Sequence, residues 1–160
     1  MFGFRKKKKK IISPASIKKV GIKRLDYHPK IILAWAKAIE GNKELGEYLA
    51  KNGFEELNVS ASAICLKQDA RNWLMENGYP HLMAMIHASE GDAKALKWLH
   101  TNDFEILANI AMAVEDEQDA WMWLKKNATH DIFILTQTIK KVKDQIEENH
   151  NDVHSFGKDS

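Results

Sequence analysis

The chain has 160 residues, of which 44% are hydrophobic and 29% charged, a composition typical of one soluble globular domain. It has no apolar run near the ~20 residues needed to cross a bilayer, and no signal-peptide apolar segment follows its basic start. The single cysteine, Cys65, excludes an intramolecular disulfide framework and favours a reducing, cytoplasmic location.

Residues 1–26 are predicted to form a basic and flexible leader. Residues 1–30 contain 11 Lys/Arg and one acid, whereas the rest of the chain contains 13 Lys/Arg and 21 Asp/Glu. Six consecutive cations repel one another and stay solvated. They are Arg5, Lys6, Lys7, Lys8, Lys9 and Lys10. Three interpretations stay open: a solubilising tail, a weak contact with an anionic membrane helped by Phe2 and Phe4, or a weak contact with nucleic-acid phosphates.

Residues 27–149 are predicted to be a repeat domain with a period of 25 residues. An aromatic residue, a leucine and, three positions later, an asparagine return in each copy. The aromatic column is Tyr48, Trp73, Trp98 and Trp123; the leucine column is Leu49, Leu74, Leu99 and Leu124; the asparagine column is Asn52, Asn77, Asn102 and Asn127. Residues 150–160 are predicted to be a disordered tail.

Each unit is predicted to contain two short helices joined by a tight turn. In one copy, Leu82, Met85 and Ile86 have the i, i+3, i+4 spacing of one helical face, and Gly91 marks the turn that follows. Because helices of about ten residues are unstable alone, the units must stack to bury a shared face. The predicted fold is all-α, an α-solenoid of about five stacked helix-turn-helix repeats.

The aromatic and leucine columns are expected to form the buried spine of this stack. Burying one indole removes about 150–250 Å² from water, so Trp98→Ala is expected to cost on the order of 3–5 kcal/mol. The Asn-Gly pairs are expected to end the second helices, since both residue types tolerate the left-handed conformation. Lys140, Lys141 and Lys143 are expected on the solvated side of a terminal cap.

The turn and second helix of the unit resemble those of ankyrin repeats over residues 30 to 128. GDAKALKWLHTNDF and GNKELGEYLAKNGF place a Gly–polar pair before an apolar helix that ends in Leu-x-x-Asn. The Thr-Pro-Leu-His motif is missing and the unit is shorter than the ~33 residues of ankyrin repeats, so no projecting β-hairpin is expected. The unit is also similar to the leucine-rich variant repeat, another short α-solenoid. Both resemblances imply a scaffold that binds another protein or a peptide.

Two variable columns of the first helices are predicted to form the partner-binding face. They are Leu33, Asn58, Met83, Ala108 and Phe133, and Lys37, Ser62, His87, Met112 and Gln137. Variation beside fixed columns is compatible with a surface shaped for one partner, and Met83, Met112 and Phe133 are expected to be exposed there. An ordinary solvated face is the alternative.

The sequence offers no motif for catalysis or metal binding. None of its seven histidines belongs to an HExxH pair, and no Walker loop, GxGxxG or GxSxG is present. Cys65 has no local base to activate its thiol. We therefore expect no enzyme activity, no catalytic residue, no metal site and no cofactor.

Overall fold

A computed structural model of the chain describes residues 25–159, and side chains through residue 152. The described residues form nine α-helices and no strand. The helices are α1 Pro29–Ile39, α2 Lys43–Lys51, α3 Glu55–Ile64, α4 Gln68–Glu76, α5 Pro80–Ala88, α6 Ala93–Thr101, α7 Glu105–Val114, α8 Gln118–Asn127 and α9 His130–Asp159. The predicted all-α stack is confirmed. In the described part of the chain, no helix combines the length and apolar content that a membrane span requires.

The described residues can be compared with the predicted domain boundaries at both ends of the chain. Of the predicted leader, residues 1–24 lie outside the described residues. At the other end, α9 continues through the segment predicted to be a disordered tail and ends at Asp159.

The asparagine column ends the second helices by a side-chain hydrogen bond. Each asparagine Nδ2 donates to the carbonyl oxygen of the aromatic residue four positions earlier, at 2.7, 2.9, 2.8 and 2.9 Å along the chain. Asn52, Asn77 and Asn102 have φ of −110°, −104° and −101°, so in these three copies the left-handed residue is the next one. It is Gly53, Gly78 or Asp103, with φ of 90°, 87° and 65°. The asparagine therefore satisfies a terminal carbonyl, and its neighbour reverses the chain.

The turn after each first helix also contains one left-handed residue, again at a period of 25. The residues are Gly41, Leu66, Gly91 and Asp116, with φ of 105°, 70°, 94° and 70°. Glycine adopts this conformation without a steric penalty, whereas a Cβ makes it unfavourable by roughly 1–2 kcal/mol. Leu66, which is 54% exposed, is therefore strained with little burial to offset the strain.

The first helices form the inner layer and close on themselves. In order, α1, α3, α5, α7 and α9 pack against one another, and α9 also packs against α1. The second helices α2, α4, α6 and α8 lie outside, each against the two first helices that flank it in the chain. The five first helices thus make a ring, and its α9–α1 junction has no second helix over it within residues 25–159.

The centre of the ring is filled by side chains. One register position contributes a fully buried residue from each inner helix. These residues are Trp35, Ser60, Met85, Ile110 and Leu135, all 0% exposed. The largest and the smallest of them stand on adjacent helices, so their volumes compensate. The ring is a packed core and not a pore.

The long helix α9 crosses the carboxyl ends of the other inner helices. Lys140 Nζ lies 2.8 Å from Asp116 Oδ1, and Lys143 Nζ donates to the Ile64 carbonyl at 2.8 Å and also contacts Glu90. Cations at helix carboxyl ends are stabilising because the macrodipole is negative there. The expectation that Lys143 lies on a solvated cap is wrong, since its side chain is only 11% exposed.

Candidate interaction surface

The aromatic column lies at the rim of the stack and not in its spine. The leucine column is buried as expected, each member at 0% exposure, whereas Tyr48 is 48% and Trp98 38% exposed. A second aromatic position follows six residues later in three copies, as Phe54, Tyr79 and Phe104, and was not predicted from the sequence. Trp98 stacks on Phe104 with ring centroids 5.7 Å apart and planes 12° apart. Trp73 and Tyr79 are stacked in the same way, with ring centroids 5.9 Å apart, so two copies have an aromatic pair at the helix ends.

The first column of the predicted partner face is largely covered. Met83 is 3% and Ala108 0% exposed, so the expectation that Met83 is exposed is wrong. This column faces the second helix of the preceding unit, as the edge-to-face contact of Phe133 with Trp121 shows, with ring centroids 5.4 Å apart. Leu33 belongs to the first unit, which has no preceding second helix among the described residues, and it is 38% exposed.

The variation of this column has a packing explanation. The opposing position on the preceding second helix also varies from copy to copy: it is Gly46 opposite Asn58 and Trp121 opposite Phe133. A Cβ added at Gly46 would lie 2.6 Å from Asn58 Oδ1, so Asn58 occupies the space that the glycine leaves. These two copies each have a matched pair, and interior packing requires such matching.

The second column of the predicted face is more open. Lys37, Ser62 and Gln137 are exposed, while His87 and Met112 are half-buried. Lys37 Nζ also lies 3.4 Å from Glu40 Oε1 on the same helix. The exposed members stand on α9, α1 and α3, which are consecutive helices of the ring.

Two residues of the predicted face meet in a groove between α8 and α9, which we call the α8–α9 groove. Its volume is about 630 Å³. Trp121 and Phe133 supply its apolar part, and the side chains of Gln118, Gln137 and Lys141 are among its polar lining. An apolar centre with a polar rim is the usual anatomy of a protein-binding patch.

A second groove, of about 620 Å³, lies where α9 crosses the carboxyl ends of the inner helices. Its main ionic group is Glu90, held by Arg71 through Nη1–Oε1 and Nη2–Oε2 distances of 3.1 and 2.6 Å and also contacted by Lys143. Burial opposes ionisation of Glu90, but the two cations outweigh it and keep the pKa of Glu90 below its ordinary value. These charges satisfy one another, so we assign them to stability.

The groups considered for chemistry are dispersed in the described part of the chain. No three His, Cys, Asp or Glu side chains lie together there in an arrangement that could hold a metal ion. Cys65 is exposed. His81 is buried against Phe104, with ring centroids 5.2 Å apart, and burial lowers the pKa of His81 to about 4.

The structure and the sequence thus agree on a stack of paired helices. Comparison with protein-family models, with curated protein sequences and with solved structures finds no match.

Proposed function

We propose that the protein is a non-enzymatic, cytoplasmic helical-repeat scaffold that binds a segment of another protein in the α8–α9 groove. The observation that carries this proposal is the half-buried Trp121–Phe133 pair in a groove of about 630 Å³. Aromatic side chains in a concave, partly desolvated position are the usual anchors of protein interfaces.

The surroundings of this pair favour a partner segment that offers an apolar side chain. Met122 follows Trp121 on α8 and is 69% exposed, the highest value among the large hydrophobic side chains described. Methionine adapts its shape to a bound apolar group. The charges of the groove lining are balanced, since Lys140 and Lys141 stand beside Asp144 and Glu148, and Lys141 Nζ also lies 3.2 Å from Glu40 Oε2.

The resemblances to ankyrin and leucine-rich variant repeats support the same function. Both families stack paired helices and present a surface to a protein ligand. Residues 25–159 contain no strand, so a projecting β-hairpin is not part of this surface.

Charge substitutions in the groove test the proposal. Gln118→Glu with Gln137→Glu places two carboxylates beside the aromatic pair and should abolish capture of partner proteins from a native cell lysate, detected by mass spectrometry. The matched control is Gln68→Glu with Ser62→Glu, since these exposed residues hold the same repeat positions elsewhere in the stack. Both double variants should keep the wild-type thermal melt. Capture of the same proteins by the groove variant and the wild type would contradict the proposal.

A second candidate function rests on the charge of residues 1–30, most of which lie outside the described residues. Replacing Arg5–Lys10 with glutamine should remove binding to anionic vesicles or to DNA, and wild-type binding should weaken steeply with added salt. Binding that survives both the replacement and high salt would exclude this function.

A further inference from the structure

A third cavity, of about 330 Å³, opens between the amino end of α3 and the carboxyl end of α4. It is lined by two carboxylates, two aromatic rings and an amide, and we call it the acidic cleft. The lining side chains are those of Glu55, Glu56, Trp73, Asn77 and Tyr79. It lies on different helices from the α8–α9 groove and does not depend on the function proposed for that groove.

Glu56 is a buried carboxylate, and the side chains that donate hydrogen bonds to it are the neutral hydroxyls of Tyr27 and Tyr79. It is 6% exposed, and Tyr27 donates its hydroxyl to Glu56 Oε1 at 3.4 Å. The Tyr79 hydroxyl also interacts with this carboxylate, and burial raises the pKa of Glu56 above its ordinary value. No lysine or arginine among residues 25–152 forms an ion pair with Glu56. A buried carboxylate is costly unless a cation compensates it.

The aromatic lining suits a cation. Trp73 and Tyr79 stack with centroids 5.9 Å apart and planes 6° apart, and both line the cleft. The negative face of an aromatic ring attracts an ammonium group, and the attraction grows when the group is desolvated. The exposed carboxylate of Glu55 adds negative charge at the same cleft.

The next junction along the stack shows that repeat packing does not require this chemistry. His81 takes the register position of Glu56 and stacks on Phe104, with planes 6° apart. Phe104 takes the position of Tyr79 and has no hydroxyl group, while Trp98 keeps the position of Trp73. The aromatic stack is thus common to both junctions, whereas the buried carboxylate and the Tyr79 hydroxyl occur at only one of them.

We propose that the acidic cleft binds an alkylammonium group, with Glu56 as its counter-ion and the Trp73 and Tyr79 rings against its alkyl substituents. The group belongs either to another molecule or to a lysine of residues 1–24, which precede Tyr27 in the chain. Both sources supply the same chemical group, a positively charged nitrogen that carries alkyl carbon.

Choline and its uncharged carbon isostere, 3,3-dimethyl-1-butanol, test the charge requirement on the full chain. The indole N–H resonance of Trp73, assigned by its loss in Trp73→Phe, should shift saturably with choline and not with the isostere. Glu56→Gln should weaken choline binding about tenfold or more, the loss expected when one strong charged contact is removed. An equal response to both probes, or full binding by a folded Glu56→Gln variant, would overturn the proposal.

Matched variants keep the test decisive if Glu56→Gln does not fold. Glu55 is exposed in the same cleft, and Glu55→Gln should weaken choline binding severalfold. Glu105 holds the same repeat position on α7, and Glu105→Gln should leave choline binding unchanged. Asp131→Asn is the control for Glu56→Gln, since Asp131 is a buried carboxylate at the same repeat position on α9. Asp131→Asn should leave choline binding unchanged. Equal binding by Glu55→Gln and Glu105→Gln would also overturn the proposal.

One further full-length variant distinguishes the two sources of the cation. Replacing the lysines of residues 1–24 with glutamine should tighten choline binding if the chain's own lysine occupies the cleft. Unchanged choline binding identifies the group as external. Absence of choline binding in both this variant and the wild type would contradict the proposal.

Discussion

Lys141 Nζ lies 3.2 Å from Glu40 Oε2, so the last helix of the described chain contacts the end of the first across 101 residues of sequence. The contact accompanies direct packing of α9 against α1. The stack is therefore short and closed, because its two ends bury part of each other's inner face.

Zero-length cross-linking tests this closure. A carbodiimide should join the Lys141 amine to the Glu40 carboxylate, since the two groups are already in contact. The linked peptides should appear by mass spectrometry at a protein concentration where links between molecules are negligible. Lys141→Arg, which keeps the charge but lacks the reactive amine, is the control. A wild-type digest without this link would favour separated ends.

Removing the Glu90 carboxylate should lower the free energy of unfolding far more than breaking the exposed Lys141–Glu40 pair. Glu90→Gln leaves Arg71 and Lys143, whose side chains are 13% and 11% exposed, without their anion. We expect a loss of about 2–3 kcal/mol, below the 3–5 kcal/mol typical of full burial. Lys141→Gln should cost at most about 1 kcal/mol, since that side chain is 61% exposed. Urea unfolding of both variants measures the difference, and equal losses would contradict this assignment.

Because of the Glu90 carboxylate, we expect the free energy of unfolding to depend on pH in the acid range. Because Arg71 and Lys143 hold the pKa of Glu90 below its ordinary value, its ionised form contributes stability at neutral pH. The contribution is present above the unfolded-state pKa of about 4.3 and is lost as the pH falls through the lower folded-state pKa. The difference in unfolding free energy between wild type and Glu90→Gln should therefore shrink between about pH 5 and pH 2. A constant difference over that range would exclude this role.

Leu66→Gly should stabilise the protein. The left-handed φ of 70° disfavours leucine by roughly 1–2 kcal/mol, and the added freedom of glycine in the unfolded chain offsets part of the gain. We expect a net gain of about 0.5–1 kcal/mol by thermal or urea unfolding. Gly41→Ala, at the same repeat position and with no atom within 4 Å of the new Cβ, should lose about 1 kcal/mol. A loss of stability in Leu66→Gly would show that the leucine side chain makes a compensating contact.

Leu99→Ala should destabilise the protein more than Trp98→Ala, although tryptophan is the larger residue. Leu99 is 0% exposed and its truncation should cost about 3–5 kcal/mol, whereas Trp98 is 38% exposed. We expect about 1–2.5 kcal/mol for Trp98→Ala, less than the sequence alone suggests, because part of its ring already contacts water. Equilibrium unfolding of the two variants gives the order, and the reverse order would place the aromatic column in the core.

A double-mutant cycle tests whether the variable column is matched to the preceding helix. In an Asn58→Ala background, Gly46→Ala should stabilise by about 0.5–1 kcal/mol, the usual helix-propensity gain. In the wild type that gain should vanish, because the new Cβ would lie 2.6 Å from Asn58 Oδ1. The coupling energy between the two changes is the measurement. Additive effects would show that Asn58 rotates away without cost.

The sequence predicts the repeat, the helix pairs and the leucine spine because these depend on local spacing. It does not predict the contact of Lys141 with Glu40, since no periodic signal links positions 101 residues apart. It also misplaces Met83, because variation in one column indicates a surface only when no opposing column varies with it. The opposing residues Gly46 and Trp121 are visible in the sequence, but their pairing depends on how the layers stack.

The sequence contains only a weak signal for the acidic cleft. Glu56 stands in a column that otherwise holds Ile31, His81, Ile106 and Asp131. An acid in the first turn of a helix is ordinary because it suits the helix dipole. The burial of Glu56 depends on Tyr27 and Tyr79, which come from the segments preceding α1 and α5. Only the folded arrangement of these three side chains distinguishes it from a solvated acid.

Joining α9 to α1 also fixes how many units the molecule can contain. An open array tolerates duplication or loss of one copy, because a new copy only lengthens it. Here a sixth inner helix would have to wedge the α9–α1 contact apart, and loss of one would leave the bulky Trp35 without its present surroundings. In-frame gain or loss of 25 residues should therefore be harmful in this lineage, and the number of copies should stay constant while their individual sequences diverge.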